Sequence, residues 1–269
     1  MRTRRRLSRT FSRQRWAEYR HLLVAAREHG YELVSLEAWV ANPQRSRDRT
    51  LVLRHDVDQH PRSALAMAHI ESELGVTSTW YFRWRTAHEA VIRELRGRGF
   101  AVGLHYETLS RRALDLGRTD TNGSPSLIEE CRRTLRDEIE LFQARFGPIR
   151  SVCPHGDSRL PSVSNAALLR GEDCSAYGIE FDGNNAMRGK GIALWLTDRS
   201  RADGSWKDGI DPHTYFRDGV SPILCLTHPN NWAAGPSLWL DRALAAALPP
   251  PAGAGPARPI RTGVDAPPQ

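Results

Sequence analysis

Four short apolar runs in this chain each lead into an aspartate or a histidine, and that repetition constrains the fold more than any other feature of the sequence. Residues 50–54 run into His55-Asp56-Val57-Asp58. Phe100–Leu104 runs into His105, Ile149–Cys153 leads to His155, and Ile223–Leu226 leads to His228. Runs of this length, rich in β-branched and apolar residues, read as strands. Helical patterns lie between several of them, and strands alternating with helices at this spacing build parallel βαβ units. In a barrel of parallel strands the residues at the C-terminal strand ends gather at one mouth. The pattern therefore predicts an α/β barrel with one polar cluster assembled from several strand ends.

The chemistry of that cluster starts at Asp56 and Asp58. Side chains alternate along a strand, so residues two apart project from the same face. Two carboxylates held that close repel unless a cation or a shared proton offsets them. One can hold a divalent metal while the other takes a proton from water. The plainer reading is a strand end with aspartates in a turn. His105, His155 and His228, each placed after its own strand, tip the balance toward a site.

The remaining elements follow from periodicity and punctuation. Residues 14–29 read as an amphipathic helix stopped at Gly30. Pro61 suits the first turn of a helix over 61–73, with Gly75 beyond it. A strand is expected over 76–83, a helix over 87–97, and the longest helix over 125–146. Residues 44–49 and 117–124 read as polar loops, and 156–190 as a long irregular region of the kind that often carries function. A further short strand ends at Trp195-Leu196, just before Thr197-Asp198-Arg199.

Charge is unevenly placed. The net charge is +7, and residues 1–20 account for all of it with eight arginines and one glutamate. The other thirty cations and thirty anions cancel, which argues against a nucleic-acid-binding fold. The chain thus divides into a basic N-terminal tail over 1–15, one folded domain over 16–248 that carries the candidate cluster, and a Pro/Ala/Gly-rich tail over 249–269. Arg4-Arg5-Arg6 superficially matches a twin-arginine export signal, but the polar stretch after it lacks the apolar segment such a signal needs. Cytoplasmic residence is the expectation, and no apolar run reaches the roughly 18–20 residues that span a membrane. The four cysteines are widely spaced and form neither a zinc-finger pattern nor a disulfide framework.

Taken together and in order, the motifs resemble those of the polysaccharide deacetylases, the NodB-type carbohydrate esterases, from about residue 30 to residue 240. Arg54-His55-Asp56-Val57-Asp58 resembles the family's first motif in an Asp-Val-Asp variant. Gly103-Leu104-His105 resembles its second motif, and Thr227-His228-Pro229 its late histidine motif. Pro154-His155-Gly156, and Leu196-Thr197-Asp198-Arg199 followed by Trp206, resemble a divergent bacterial subgroup. The resemblance implies a distorted (β/α) barrel and metal-dependent removal of an N-acetyl or related acyl group, commonly from an amino sugar. It implies Asp56 as general base, Asp58 and His105 as metal ligands, and His228 as general acid.

One departure matters. The family usually carries a second histidine four residues after the first, and here that position is Leu109. A catalytic zinc needs about three protein ligands. His155 is the expected replacement, arriving from another strand end, with Glu107 as the alternative. Mixed imidazole and carboxylate donors suit Zn²⁺ best, ahead of Co²⁺, Ni²⁺ or Fe²⁺. Arg54, Trp80, Tyr106, Glu107, Asp198, Arg199 and Trp232 are candidates to touch a carbohydrate or small glycoside substrate. The competing reading is a carbohydrate-binding barrel that has lost its chemistry, which Leu109 favours.

Overall fold

A computed structural model describes residues 15–42, 49–120, 124–187, 191–198 and 206–233. The tail readings for 1–15 and 249–269 and the loop at 44–49 fall wholly or largely outside them. Helix α1 (Trp16–Glu28) leads into β1 (Glu32–Ser35) and the short α2 (Leu36–Ala41). Then follow β2 (Thr50–Val57), α3 (Arg62–Glu73), β3 (Thr79–Phe82), α4 (Glu89–Gly97) and β4 (Ala101–Tyr106). After α5 (Thr108–Asp115) and α6 (Pro125–Phe146) come β5 (Ser151–Pro154), β6 (Phe181–Asp182), β7 (Leu194–Thr197), α7 (Pro212–Arg217) and β8 (Ile223–Thr227). No helix among the described residues is long and apolar enough to cross a membrane.

Every strand pair is parallel. The eight-stranded sheet runs β6-β5-β4-β3-β2-β8-β7, with β1 paired to β2 beside that path. Strands β1 and β3 share one edge of β2: β1 pairs with residues 50–53, and β3 takes over at Arg54 and pairs to Val57. Strands β6 and β7 are consecutive in the chain yet lie at opposite ends of the sheet. The barrel is therefore open between them, which is the distortion expected.

Alternation sorts the strand residues into two layers. Leu51, Leu53 and Val57 of β2, Trp80 and Phe82 of β3, and Leu104 and Tyr106 of β4 pack outward against the helices. Val52, Tyr81, Cys153, Phe181 and Leu224 form a second cluster inside, with Leu36 and Trp39 of α2. Every residue of β2 is buried, because both of its faces are covered. Helix α2 closes the N-terminal end of the barrel. Its buried Glu37 accepts hydrogen bonds from Thr79 Oγ1 and from Ser151 Oγ, at the starts of β3 and β5. The opposite end, where the strands finish, is not capped by α2.

Gly103 shows how tight the interior is. A Cβ there would lie 2.4 Å from the Ser151 carbonyl oxygen and 2.6 Å from Tyr81 Cε1. Gly103→Ala is expected to destabilise the fold by about 3 kcal/mol, the upper range for overpacking. Urea unfolding would show this as a lower midpoint at unchanged slope.

Candidate metal centre and active site

Alternation carries a second set of side chains up the same inner faces to the open mouth. From β2 come Arg54 and Asp56, with Asp58 just beyond it, and from β4 His105, with Glu107 just beyond it. Arg83, His155 and His228 stand at the first positions beyond β3, β5 and β8. Asp58 Oδ1 lies 3.5 Å from His105 Nε2 and 3.5 Å from His155 Nε2. The three donor atoms all fall within 4.8 Å of one another. These separations are too long for good hydrogen bonds. They match the spacing of donors sharing one tetrahedral ion, roughly 3.3–3.5 Å for metal–ligand bonds of about 2.0–2.2 Å.

The donor chemistry also fits a cation. His105 Nδ1 lies 2.9 Å from the Cys153 carbonyl, which can only accept, so Nδ1 carries the proton and Nε2 presents a lone pair. Burial pushes the His105 pKa down, against the pull of Asp56 and Asp58, and keeps the ring neutral. Burial would raise Asp58, but the neighbouring imidazoles of His155, His105 and His228 hold it well below the usual carboxylate range. Asp58 Oδ1 and His155 Nδ1 are nevertheless buried without a hydrogen-bond partner. An orphaned carboxylate oxygen facing two imidazole nitrogens is costly unless something positive sits between them.

Two further groups flank this trio. Asp56 receives a two-pronged hydrogen bond from Arg54, at 2.9 and 2.7 Å, and its Oδ2 lies 3.4 Å from His105 Nε2. Burial opposes ionisation of Asp56, yet Arg54 and His105 hold its pKa below the ordinary value. On the other side, Asp198 fixes His228. Its Oδ1 accepts from His228 Nδ1 at 2.7 Å and its Oδ2 from the His228 backbone N–H at 2.9 Å. That leaves His228 Nε2 directed at the cluster, 3.9 Å from Asp58 Oδ2. Burial would lower the His228 pKa, but Asp198, with Asp56 and Asp58 behind it, lifts it to about 9.

The structure thus brings Asp56, Asp58, His105, His155 and His228 to one mouth. Leu109 is fully buried in α5 within the outer core, whereas His155 lies beside Asp58 and His105. Glu107 is held by a two-pronged Arg83 ion pair, 4.0 Å from His155 Nδ1, and does not face Asp58 as a ligand.

Several residues expected to touch substrate have their polar groups engaged within the protein. Arg54 is buried and spends its guanidinium on Asp56 and Asn184. Tyr106 and Trp80 point outward into the helix-facing core, and the Tyr106 hydroxyl donates to Asp182. Trp232 is also buried and donates its indole N–H to Asp198 at 2.9 Å, so both serve His228. Glu107 supports rather than reaches. Arg199 lies outside the described residues. Arg83 and Asn184 were not singled out from the sequence; strand parity on β3 would have placed Arg83, and nothing local would have placed Asn184.

No protein-family profile and no curated protein matches the chain. Solved structures give distant likenesses. A family 4 carbohydrate esterase from Streptomyces lividans in complex with acetate is 15% identical, over 72% of this chain and 87% of that one, with a TM-score of 0.37. A family 4 carbohydrate esterase from Bacillus anthracis is 12% identical over 83% of each chain, at a TM-score of 0.37. The Xyl-CE4 domain of a multidomain xylanase from the hindgut metagenome of Trinervitermes trinervoides is 12% identical over 80% of each, at 0.38.

Proposed function

We propose that this protein is a metal-dependent hydrolase that removes an N-acetyl or related acyl group from an amino-sugar-containing substrate. The observation that carries the reading is the trio Asp58, His105 and His155 at hydrogen-bond-exceeding, ion-matching distances, with an orphaned Asp58 oxygen at its centre. The motif resemblance supplies the substrate class. Bound by the trio, a divalent cation, Zn²⁺ first by donor type, supplies Lewis acidity toward a carbonyl oxygen and acidifies water.

The protein's own groups divide the proton work. Asp56 stays ionised because Arg54 holds it so, and it keeps a lone pair on each oxygen free beyond the Arg54 bonds. It accepts the proton lost by the attacking water. His228, protonated through Asp198, gives a proton to the departing nitrogen, which otherwise leaves poorly as an amide anion. Asp198 and Trp232 keep the His228 ring turned so that Nε2 is the donor.

The test is acetate release from N-acetylated amino sugars by the zinc-loaded protein, beside Asp56→Asn. The variant is expected to keep its metal and lose about 10²–10⁴ of the turnover. No acetate from any such sugar, or equal turnover by the variant, would sink the reading.

A further inference from the structure

Among the described residues at the mouth, one cation is left over once the proposed metal is assigned to Asp58. Arg54 is matched by Asp56, Arg83 by Glu107, Arg159 by Asp157, and His228 by Asp198. Asp58 is the remaining carboxylate, and the proposed cation claims it. Arg85 forms no ion pair with a carboxylate among the described residues. Its Nη2 donates instead to the Asp58 backbone carbonyl, at 3.2 Å. The side chain is exposed, on the single turn Trp84–Thr86 that follows β3. That turn is pinned to the end of β2, because Thr86 Oγ1 donates to the Val57 carbonyl at 2.6 Å. Burial of part of the guanidinium and Arg83 disfavour its charge, and Glu107 and Asp58 offset them only in part. An arginine at the rim of a site that bonds a carbonyl and no carboxylate is an acceptor for an anion that arrives with a ligand.

We propose that the substrate bears a carboxylate or phosphate on the same sugar as the acylated nitrogen, and that Arg85 receives it. This rests on the hydrolase reading above and narrows its substrate class. Arg85 is a specificity residue: it binds the anion and does no proton transfer. With a divalent metal in place the described groups at the mouth would carry an excess of positive charge, which favours anionic over neutral sugars at encounter as well as in the complex.

The experiment is equilibrium binding to the zinc-loaded full chain at fixed ionic strength, with acetate release followed in the same samples. The probes are N-acetylglucosamine, its 6-phosphate, its 1-phosphate and N-acetylmuramic acid, so that phosphate and carboxylate are separate arms. At least one anionic sugar is expected to bind about tenfold tighter than the neutral one, the size of one charge-assisted hydrogen bond. Arg85→Gln should bring that preference to within about twofold. Arg93→Gln, which removes an exposed cation from α4, should leave it intact. Equal binding of all four sugars, no binding of any, or a preference that survives R85Q would overturn the proposal. Anion-selective binding without acetate release would count against the hydrolase reading alone, and turnover without anion preference against Arg85 alone.

Discussion

His155→Ala is expected to strip the protein of its metal, and Leu109→His is expected not to give it back. Wild-type protein, purified and dialysed, should carry close to one transition-metal ion per chain by elemental analysis. Without His155 two donors remain, Asp58 and His105, and two are too few for a stable catalytic zinc site. Affinity should fall by at least about 100-fold, beyond what losing an outer-shell partner costs. The reciprocal change separates position in the fold from position in the sequence. Leu109 lies in the outer hydrophobic cluster on α5, fully buried. A histidine there would exchange apolar burial for an unpartnered imidazole, at a cost of about 2–5 kcal/mol. The double variant should therefore be less stable than H155A and equally free of metal. A double variant that regained an ion would show that α5 can turn toward the mouth, and the assignment of His155 would fail.

That outcome bears on what was legible in the chain. The strand ends were legible because a chemical signal and a periodic one coincide there: an apolar run stops and a metal-ligating residue follows. Helix α6 was legible in full, Pro125–Phe146, because proline marks its first turn and a long stripe of Leu127, Cys131, Leu135, Ile139 and Phe142 is buried along it. Strand β2 reads shorter in sequence than it is. The charged motif looks like the turn after a strand, yet pairing with β3 continues through Val57, and partner strands leave no mark in the residues they extend. Strand β1 and helix α2 span four and six residues, below the length at which periodicity discriminates. Residues 156–187 hold short 3₁₀ turns and the two-residue β6, which matches their lack of pattern in the sequence.

Side-chain direction was the harder quantity. Tyr106 and Trp232 stand out in the sequence only by chemical type, as aromatic rings near a site. Tyr106 stands one residue from His105, and on a strand one residue is the opposite face. Trp232 follows the turn after β8, where alternation no longer holds, and only the fold reveals that it grips Asp198. The buried group His55, Glu71 and Thr227, joined at 2.8 and 2.7 Å, is the mirror case. It sits in the first motif and alternates with Asp56, so its chemistry is turned to the helix side, where it ties β2 to β8 and α3.

Asp198→Asn is expected to move the basic limb of the turnover profile toward acid. In the folded protein His228 holds its proton up to about pH 9, because the Asp198 carboxylate and, more weakly, Asp56 and Asp58 stabilise the imidazolium against the cost of burial. A general acid works only while protonated, so activity should fall as pH rises through that value. A cation on Asp58 withdraws part of the support, so the metal-loaded limb lies below 9, but the Asp198 contribution remains. Asparagine removes the charge and offers one acceptor oxygen where Asp198 uses two, against the His228 ring on one side and the His228 and Trp232 N–H groups on the other, so the limb should move down by about 1–2 pH units, toward the ordinary histidine range. Stability follows the same sign. A histidine whose pKa is raised on folding contributes stability that is complete below its unfolded value near 6.5 and is lost as pH climbs to about 9. The wild-type melting temperature should therefore decline across that window, and the D198N protein should decline less. The direct reading is the His228 ring titration followed by proton–nitrogen NMR, with and without metal. If both proteins titrate at the same pH, Asp198 orients the ring without holding its proton, and His228 loses its claim to be the acid.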